Sequence, residues 1–317
     1  MTHTLTASPE TCAWGYLDAT RPPALTIDSG DIVVIETVSG GPANLPAGDF
    51  HVPPELLDIH ARSERMLPGH ILTGPVAVKG AMPGDVLEVR ILDVALRQDW
   101  GYNVIRPLAG TLPYEFETER NVTIPLDRAK MTARLSWGLN LPLAPFFGVM
   151  AVAPPANWGK VSTIQPRAFG GNIDNKELVA GTILYLPVFT EGGLFSCGDG
   201  HGAQGDGEVC VTAIETALSG TFQLIIRDDI DLIYPQAETP THYITMGMNP
   251  DLDQCVEMAL RDMISLLQDK AKISAEDAYM LCSLAGNLRV TQTVNVCKGV
   301  HMMMAKSLVG QCSPQYP

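Results

Sequence analysis

MPGDVLEVRILDV, residues 82–94, opens on a Pro-Gly-Asp turn and then alternates. Leu87, Val89 and Ile91 fall on one face and Glu88 and Arg90 on the other, the period-two pattern of a half-buried strand. DIVVIETV (31–38), set between Gly30 and Gly40-Gly41-Pro42, is a second β-run. TILYLPVF (182–189), EVCVTAIET (208–216) and TFQLIIRDDIDLIY (221–234) read as further core strands. Pro142, Pro145, Pro154, Pro155, Pro166 and Pro187 predict that the strands of the middle are short, because proline cannot donate to a ladder.

Past residue 250 the period changes. DLDQCVEMALRDMISLLQ (251–268) carries Val256, Leu260, Met263, Ile264 and Leu267 at helical spacing. SAED (274–277) is a capping-box pattern. It opens a second helix with Ala278, Leu281, Cys282 and Ala285 on one side. The Met302–Met304 run is assigned to core packing. Strands first and helices last predict a β-rich α+β fold and not a doubly wound sheet.

Composition removes several functions. Acids outnumber bases by 35 to 21 in 317 residues, a formal net charge of −14. That excludes nucleic acid, which needs a basic surface, and an anionic membrane surface. No apolar run of about 18 residues predicts a bilayer span. The opening MTHTLTASPETCAWGY lacks the basic and apolar regions of a signal peptide. Seven scattered cysteines without a CxxC pair predict reduced thiols in a cytoplasmic protein. No GxGxxG leads from a strand into a helix and no GxxxxGK[ST] occurs, so nucleotide binding has no support. Residues 39–70 stand apart. They hold Gly, Pro and three histidines (His51, His60, His70) around one short helical stretch, PPELLDIHARSE. Long irregular segments of this kind are functional or mobile.

Two polar clusters carry the chemistry. GGNIDNKEL (170–178) holds Asn172, Asp174, Lys176 and Glu177, and GDGHGAQGDGE (198–208) holds Asp199, His201, Asp206 and Glu208. Asn172-x-Asp174 and Asp199-x-His201 each place two groups on one face of an extended backbone. Asp206 and Glu208 repeat the spacing beyond a glycine turn. The donor types suit zinc, which takes histidine nitrogen and carboxylate oxygen. Calcium, which wants more oxygens, or another divalent ion is the alternative. A carboxylate left off the metal can act as base, and Glu208 is the candidate. The competing reading is that Gly-Asp-Gly is only a hairpin turn. Cys197 is the candidate for a thiol nucleophile with His201.

The two clusters together resemble the acetamidase/formamidase family of metal-dependent amidases. HILTGPVAVKGAMPGDVLEVRILDV (70–94), AETPTHYITMG (237–247) and EDAYMLCSLAGNLRVTQTV (276–294) extend the resemblance over nearly the whole chain. The family's motif positions fall on Glu36, His70, Asn172, Asp174, Asp199, His201, Gln204, Asp206 and Glu208. The resemblance implies a β-sandwich or barrel-like part, taken as residues 1–160, and an α+β part, 161–317, that carries the motifs. It implies a cytoplasmic homodimer or larger homo-oligomer that hydrolyses a small amide to a carboxylate and ammonia. Our chemical assignment takes Asp199, His201, Asp174, His70 and Glu36 as candidate ligands of the divalent metal. Glu208 is the general base, Asn172 or Lys176 stabilises the oxyanion, and Asp206 completes the catalytic set. A cyclic amide such as a lactam, or a non-catalytic binding module on the same cluster, is the alternative. Residues 39–70, with Trp100, Tyr102, Phe146, Phe147 and Trp158, are available to line the pocket.

Overall fold

The computed structural model describes residues 1–312. Sheet dominates. A nine-stranded sheet runs in the order Thr2–Leu5, Ile32–Glu36, Leu218–Arg227, Val86–Leu96, Ile183–Pro187, Gln236–Glu238, His242–Asn249, Lys298–Ala305, Asn287–Gln292. A second sheet runs Gly170–Asn172, Phe146–Ala151, Phe195–His201, Ile71–Val78, Cys12–Trp14, with Leu25–Ile27 also paired to Ile71–Val78. A four-stranded sheet is made by Trp100–Ile105, Arg120–Asp127, Thr132–Arg134 and Asn140–Pro142.

The strand first read from sequence, Val86–Leu96, lies inside the nine-stranded sheet between Leu218–Arg227 and Ile183–Pro187. Leu87, Val89 and Ile91 are buried as the alternation predicts. Glu88 is buried too, because Arg90 (2.6 Å) and Arg227 (2.5 Å) pair with its two oxygens. Beyond Ile91 the alternation slips by one. Phe222 faces Ile91 and Thr221 faces Asp93, so Leu92 is the extra residue of a bulge and points out, 45% exposed.

The two large sheets pack face to face. Phe222 of one meets Phe195 and Phe147 of the other, each pair of ring centroids 5.5 Å apart and tilted, as aromatic quadrupoles prefer. This aromatic contact lies in the main core, which also takes in Val33, Ile35, Leu87 and Val89. Both sheets draw strands from either side of residue 160, so a division there does not coincide with the sheets. Long-range antiparallel pairing, as of Phe146–Ala151 with Phe195–His201, joins the two halves.

A second core belongs to the C-terminal region. After the short helix α1 (Pro54–Arg62) of the 39–70 segment, helix α2 (Leu252–Ala271) covers the strands His242–Asn249 and Lys298–Ala305 with Cys255, Ala259, Met263 and Leu267. The approach is close enough that a Cβ on Gly247 would run into the Cys255 carbonyl. The Thr245 hydroxyl donates to the Ala259 carbonyl at 2.6 Å. Ser274 caps helix α3 (Ala275–Ala285) by accepting from the Asp277 amide at 3.0 Å, as the SAED pattern predicts. Met302 and Met304 pack in this second core and Met303 in the first. Among the described residues no helix is long and apolar enough to cross a membrane.

One expected strand is absent. Residues 208–216 form no strand but cross from one sheet to the other, with isolated bridges of Glu215 to Tyr102 and to His201 and scattered backbone hydrogen bonds such as Thr111 N–H to the Val209 carbonyl at 2.9 Å. Glu208 (φ 44°) and Val211 (φ 89°) have left-handed backbone, and two such residues three positions apart interrupt the extended run.

Candidate metal and active site

His201 is the centre of the site. It ends the Phe195–His201 strand, is fully buried, and stands edge-on to Phe146 with centroids 5.0 Å apart. Its Nδ1 lies 2.9 Å from Gln204 Oε1. The Gln204 amide nitrogen donates to the Asp174 carbonyl at 2.8 Å, which fixes which end of the amide faces the ring. Gln204 therefore accepts, Nδ1 carries a proton, and Nε2 is the nitrogen turned inward. Nε2 lies 3.3 Å from Glu215 Oε1, 3.4 Å from Asp199 Oδ2 and 3.9 Å from Asp174 Oδ1.

Four carboxyls thus surround one imidazole nitrogen. Asp174, Asp199 and His201 form one group able to hold a metal ion, and His201, Glu208 and Glu215 a second that shares the histidine. All five residues are buried. His201 Nε2, Asp174 Oδ1, Glu208 Oε2 and Asn172 Oδ1 are buried without a hydrogen-bond partner among the described residues. Unpaired atoms of this kind are costly unless something fills the space between them. The floor of that space is Gly148. A Cβ there would lie 2.6 Å from Asp199 Oδ2 and 2.9 Å from His201 Cε1, and closer still to Asp174 Oδ1. One imidazole and several carboxylates are donors that divalent ions accept, so the residues fit a metal.

The backbone carries the same mark. Asp174 (φ 51°), Asp199 (φ 54°) and Glu208 (φ 44°) all take left-handed conformations. Such conformations in residues other than glycine are uncommon and gather at functional sites.

Electrostatics follow from crowding and burial. Burial pushes the Glu208 carboxyl well above the carboxylate range, and the Asp174 charge adds to it. Burial and the Asp199 charge raise Glu215 to about 7, with His201 opposing. Asp174 is raised by burial, against the pull of His201. Burial would raise Asp199 as well, but His70 and His201 together hold it below its ordinary value. Burial works to lower the His201 imidazole, and the Glu215 and Asp199 charges overcome it and hold it well above the usual range.

Not every expected residue comes to this point. His70 flanks it, with Nε2 3.7 Å from Asp199 Oδ1 and a side chain 29% exposed. Asn172 donates its amide nitrogen to the Ile164 carbonyl at 3.2 Å, so the free atom it offers inward is an acceptor. Lys176 and Asp206 pair with each other at 3.0 Å, half-exposed, outside both metal-capable groups. Gly207 (φ 92°) turns the chain between Asp206 and Glu208 and sends only Glu208 inward. Glu36 lies beside Arg97, which also pairs with Glu55, and belongs to neither group. Cys197 is buried in the core, where burial pushes its thiol far up, the opposite of what a nucleophile needs.

Two participants were not singled out from sequence. Glu215 sat in the apolar run CVTAIET, where a lone carboxylate needs a partner once buried. Gly148 interrupts FFGVMA (146–151), and an isolated glycine within a strand signals close approach.

A cavity of about 360 Å³ opens onto the cluster. Asn172, Asp199, Glu208 and Glu215 line its inner part, and Ser39, Gly40 and His70 bring the irregular 39–70 segment to its wall. Of the five aromatics proposed for the pocket, Tyr102 lines it. Phe146 supports His201, Trp100 and Phe147 are core, and Trp158 is half-exposed at the surface.

The model of the acetamidase/formamidase family matches residues 19–161 and 156–306. The chain is 27% identical over 210 residues to a formamidase of Methylophilus methylotrophus, 47% of this chain and 49% of that one. It spans about half the length of the curated relatives it matches. Among solved structures, an acetamidase of Bacillus halodurans is 29% identical with a TM-score of 0.84, over 98% of this chain and 99% of that one. An acetamidase of Yersinia enterocolitica is 28% identical with a TM-score of 0.85, over 98% and 94%. With fold, motifs and family model in agreement, the chain belongs to the acetamidase/formamidase family.

Proposed function

We propose that this protein hydrolyses the C–N bond of an amide, releasing a carboxylate and ammonia, at a divalent metal site centred on His201. The observation that carries the reading is the bare Nε2 of His201 facing four buried carboxyls at the inner end of an open cavity. The formamidase and acetamidase names of the relatives point to the same bond. His201, Asp199 and Asp174 would hold the ion, with His70 beside them, and we take zinc as the ion that suits the donors. When bound, it supplies Lewis acidity to the amide carbonyl.

The remaining work falls to the chain. Glu208 is a base whose raised pKa lets it hold a proton near neutral pH. It takes a proton from the attacking water and delivers it to the departing nitrogen, since an amide anion is too poor a leaving group. Asn172, with an acceptor facing inward, orients the substrate by receiving an amide N–H. It does not stabilise the oxyanion, and Lys176, tied to Asp206, is not placed to do so either. Gln204 holds the His201 tautomer. The proposal keeps the cytoplasmic location and the homodimer or larger homo-oligomer expected from the sequence. The seven free cysteines fit a reducing compartment.

The test is ammonia release from formamide and acetamide, with Glu208→Gln beside the parent chain. The variant is expected to keep its metal and lose roughly 10²- to 10⁴-fold in turnover. Full turnover in that variant would remove Glu208 from the role of base.

A further inference from the structure

The cavity is larger and more polarised than a two-carbon amide requires. A molecule the size of acetamide occupies roughly four water-sized volumes of about 30 Å³ each, which leaves most of the 360 Å³ for something else. The inner end is acidic, with Asp199, Glu208 and Glu215 in the wall. The outer part holds Arg65 and Arg106, which come from different segments and are both exposed.

These two arginines are the ones in the cavity wall, and among the described residues they lack a carboxylate partner, as do Arg21, Arg120, Arg128, Arg134 and Arg167 elsewhere. Arg62, Arg90, Arg97, Arg227, Arg261 and Arg289 are all paired with carboxylates. The chain as a whole has 14 more acids than bases. Arg106 is close enough to Tyr102 to oppose the strong rise that burial imposes on that hydroxyl. The wall also includes apolar Trp14, Ile71 and Val211. Val211 and Val296, both in the wall, have φ of 89° and 64°, which β-branched residues avoid without an external reason.

Resting on the amidase reading above, we propose that the substrate is an ω-amide of a short dicarboxylic acid, its amide at the acidic inner end and its free carboxylate on Arg65 and Arg106. This orientation keeps the free carboxylate away from Asp199, Glu208 and Glu215 and sets the amide carbonyl beside the ion proposed above. Guanidinium groups bind carboxylates through charge-assisted bonds with defined geometry. They also reverse, at the mouth alone, the repulsion that an acidic protein exerts on an anion. Trp14, Ile71 and Val211 give the wall apolar surface for the methylenes.

The experiment compares succinamate with butyramide, which lacks the charge, on the metal-loaded protein. The expected kcat/KM is at least about tenfold higher for succinamate. Arg65→Gln and Arg106→Gln are each expected to cut the succinamate-to-butyramide ratio by about tenfold, mainly through KM, and Arg106→Lys to restore part of it. Added salt should raise the KM of succinamate and spare that of butyramide. Turnover of butyramide without preference for succinamate, or a ratio unmoved by both Gln variants, would overturn the proposal and leave the amidase reading standing. Turnover of neither amide would overturn the proposal, and the amidase reading would fall with it only if formamide and acetamide also released no ammonia.

Discussion

Single residues at this site act through the atom each leaves free. Gln204 touches no substrate. It donates to the Asp174 carbonyl and accepts from His201 Nδ1, so one amide positions a backbone and a ring together. Gln204→Leu is expected to lower metal affinity by about 10- to 100-fold, as loss of an orienting partner commonly does. Metal titration of the variant, followed by fluorescence competition, checks it. Gly148→Ala places a methyl among Asp174, Asp199 and His201. The expected outcome is loss of bound metal with ~1–3 kcal/mol of destabilisation from overpacking, measured by elemental analysis and denaturant unfolding. Sequence disclosed part of this. The Asp199-x-His201 spacing announced two convergent groups, though they converge through a left-handed Asp199 that no spacing rule contains. The same spacing at Asp206 and Glu208 misled, because Gly207 reverses the chain between them. Lys176 and Asp206, adjacent to the motifs in sequence, satisfy each other instead.

Elements explain which expectations survived. Period-two and period-3.6 patterns located Val86–Leu96 and both long C-terminal helices, since each buries one face against a sheet, whereas the strand expected over 221–234 ends at Arg227 and residues 228–234 are irregular. EVCVTAIET failed although its composition is that of a strand. Its left-handed residues are imposed by what it crosses, the cavity between Tyr102 and His201, and not by local propensity. Helix α2 offers a test of a different kind. Burial alone raises Asp262 to about 6. The folded state then keeps a proton that the unfolded chain releases. Stability is therefore highest below the ordinary carboxylate pKa and falls as pH rises toward 6. Asp262→Asn should match the parent near the acid end of that window. Above pH 6 it should exceed the parent by ~1 kcal/mol, after discounting for partial solvent access. Urea unfolding at the two pH values measures the difference, and equal gains at both would assign it to something other than titration.

The whole molecule brings distant segments to one point. The cluster combines Asp174, Asp199 and His201 with Glu208 and Glu215 beneath a wall from residues 39–70, while Phe146–Ala151 supplies the floor. Strand order was not legible beforehand, because pairing across more than a hundred residues, such as Ile32–Glu36 with Leu218–Arg227, leaves no local trace. The family resemblance supplied what periodicity could not, the expectation that the two clusters meet. Four carboxyls buried around one imidazole need compensation, and in the function proposed above a divalent ion supplies it and serves amide hydrolysis. The most direct measurement is therefore ammonia release by the purified protein, paired with elemental analysis, before and after chelation and after return of zinc. The expected result is bound divalent metal in the active protein, loss of both metal and activity on chelation, and recovery of both on metal return. Undiminished amide hydrolysis by protein shown to be free of metal would contradict it.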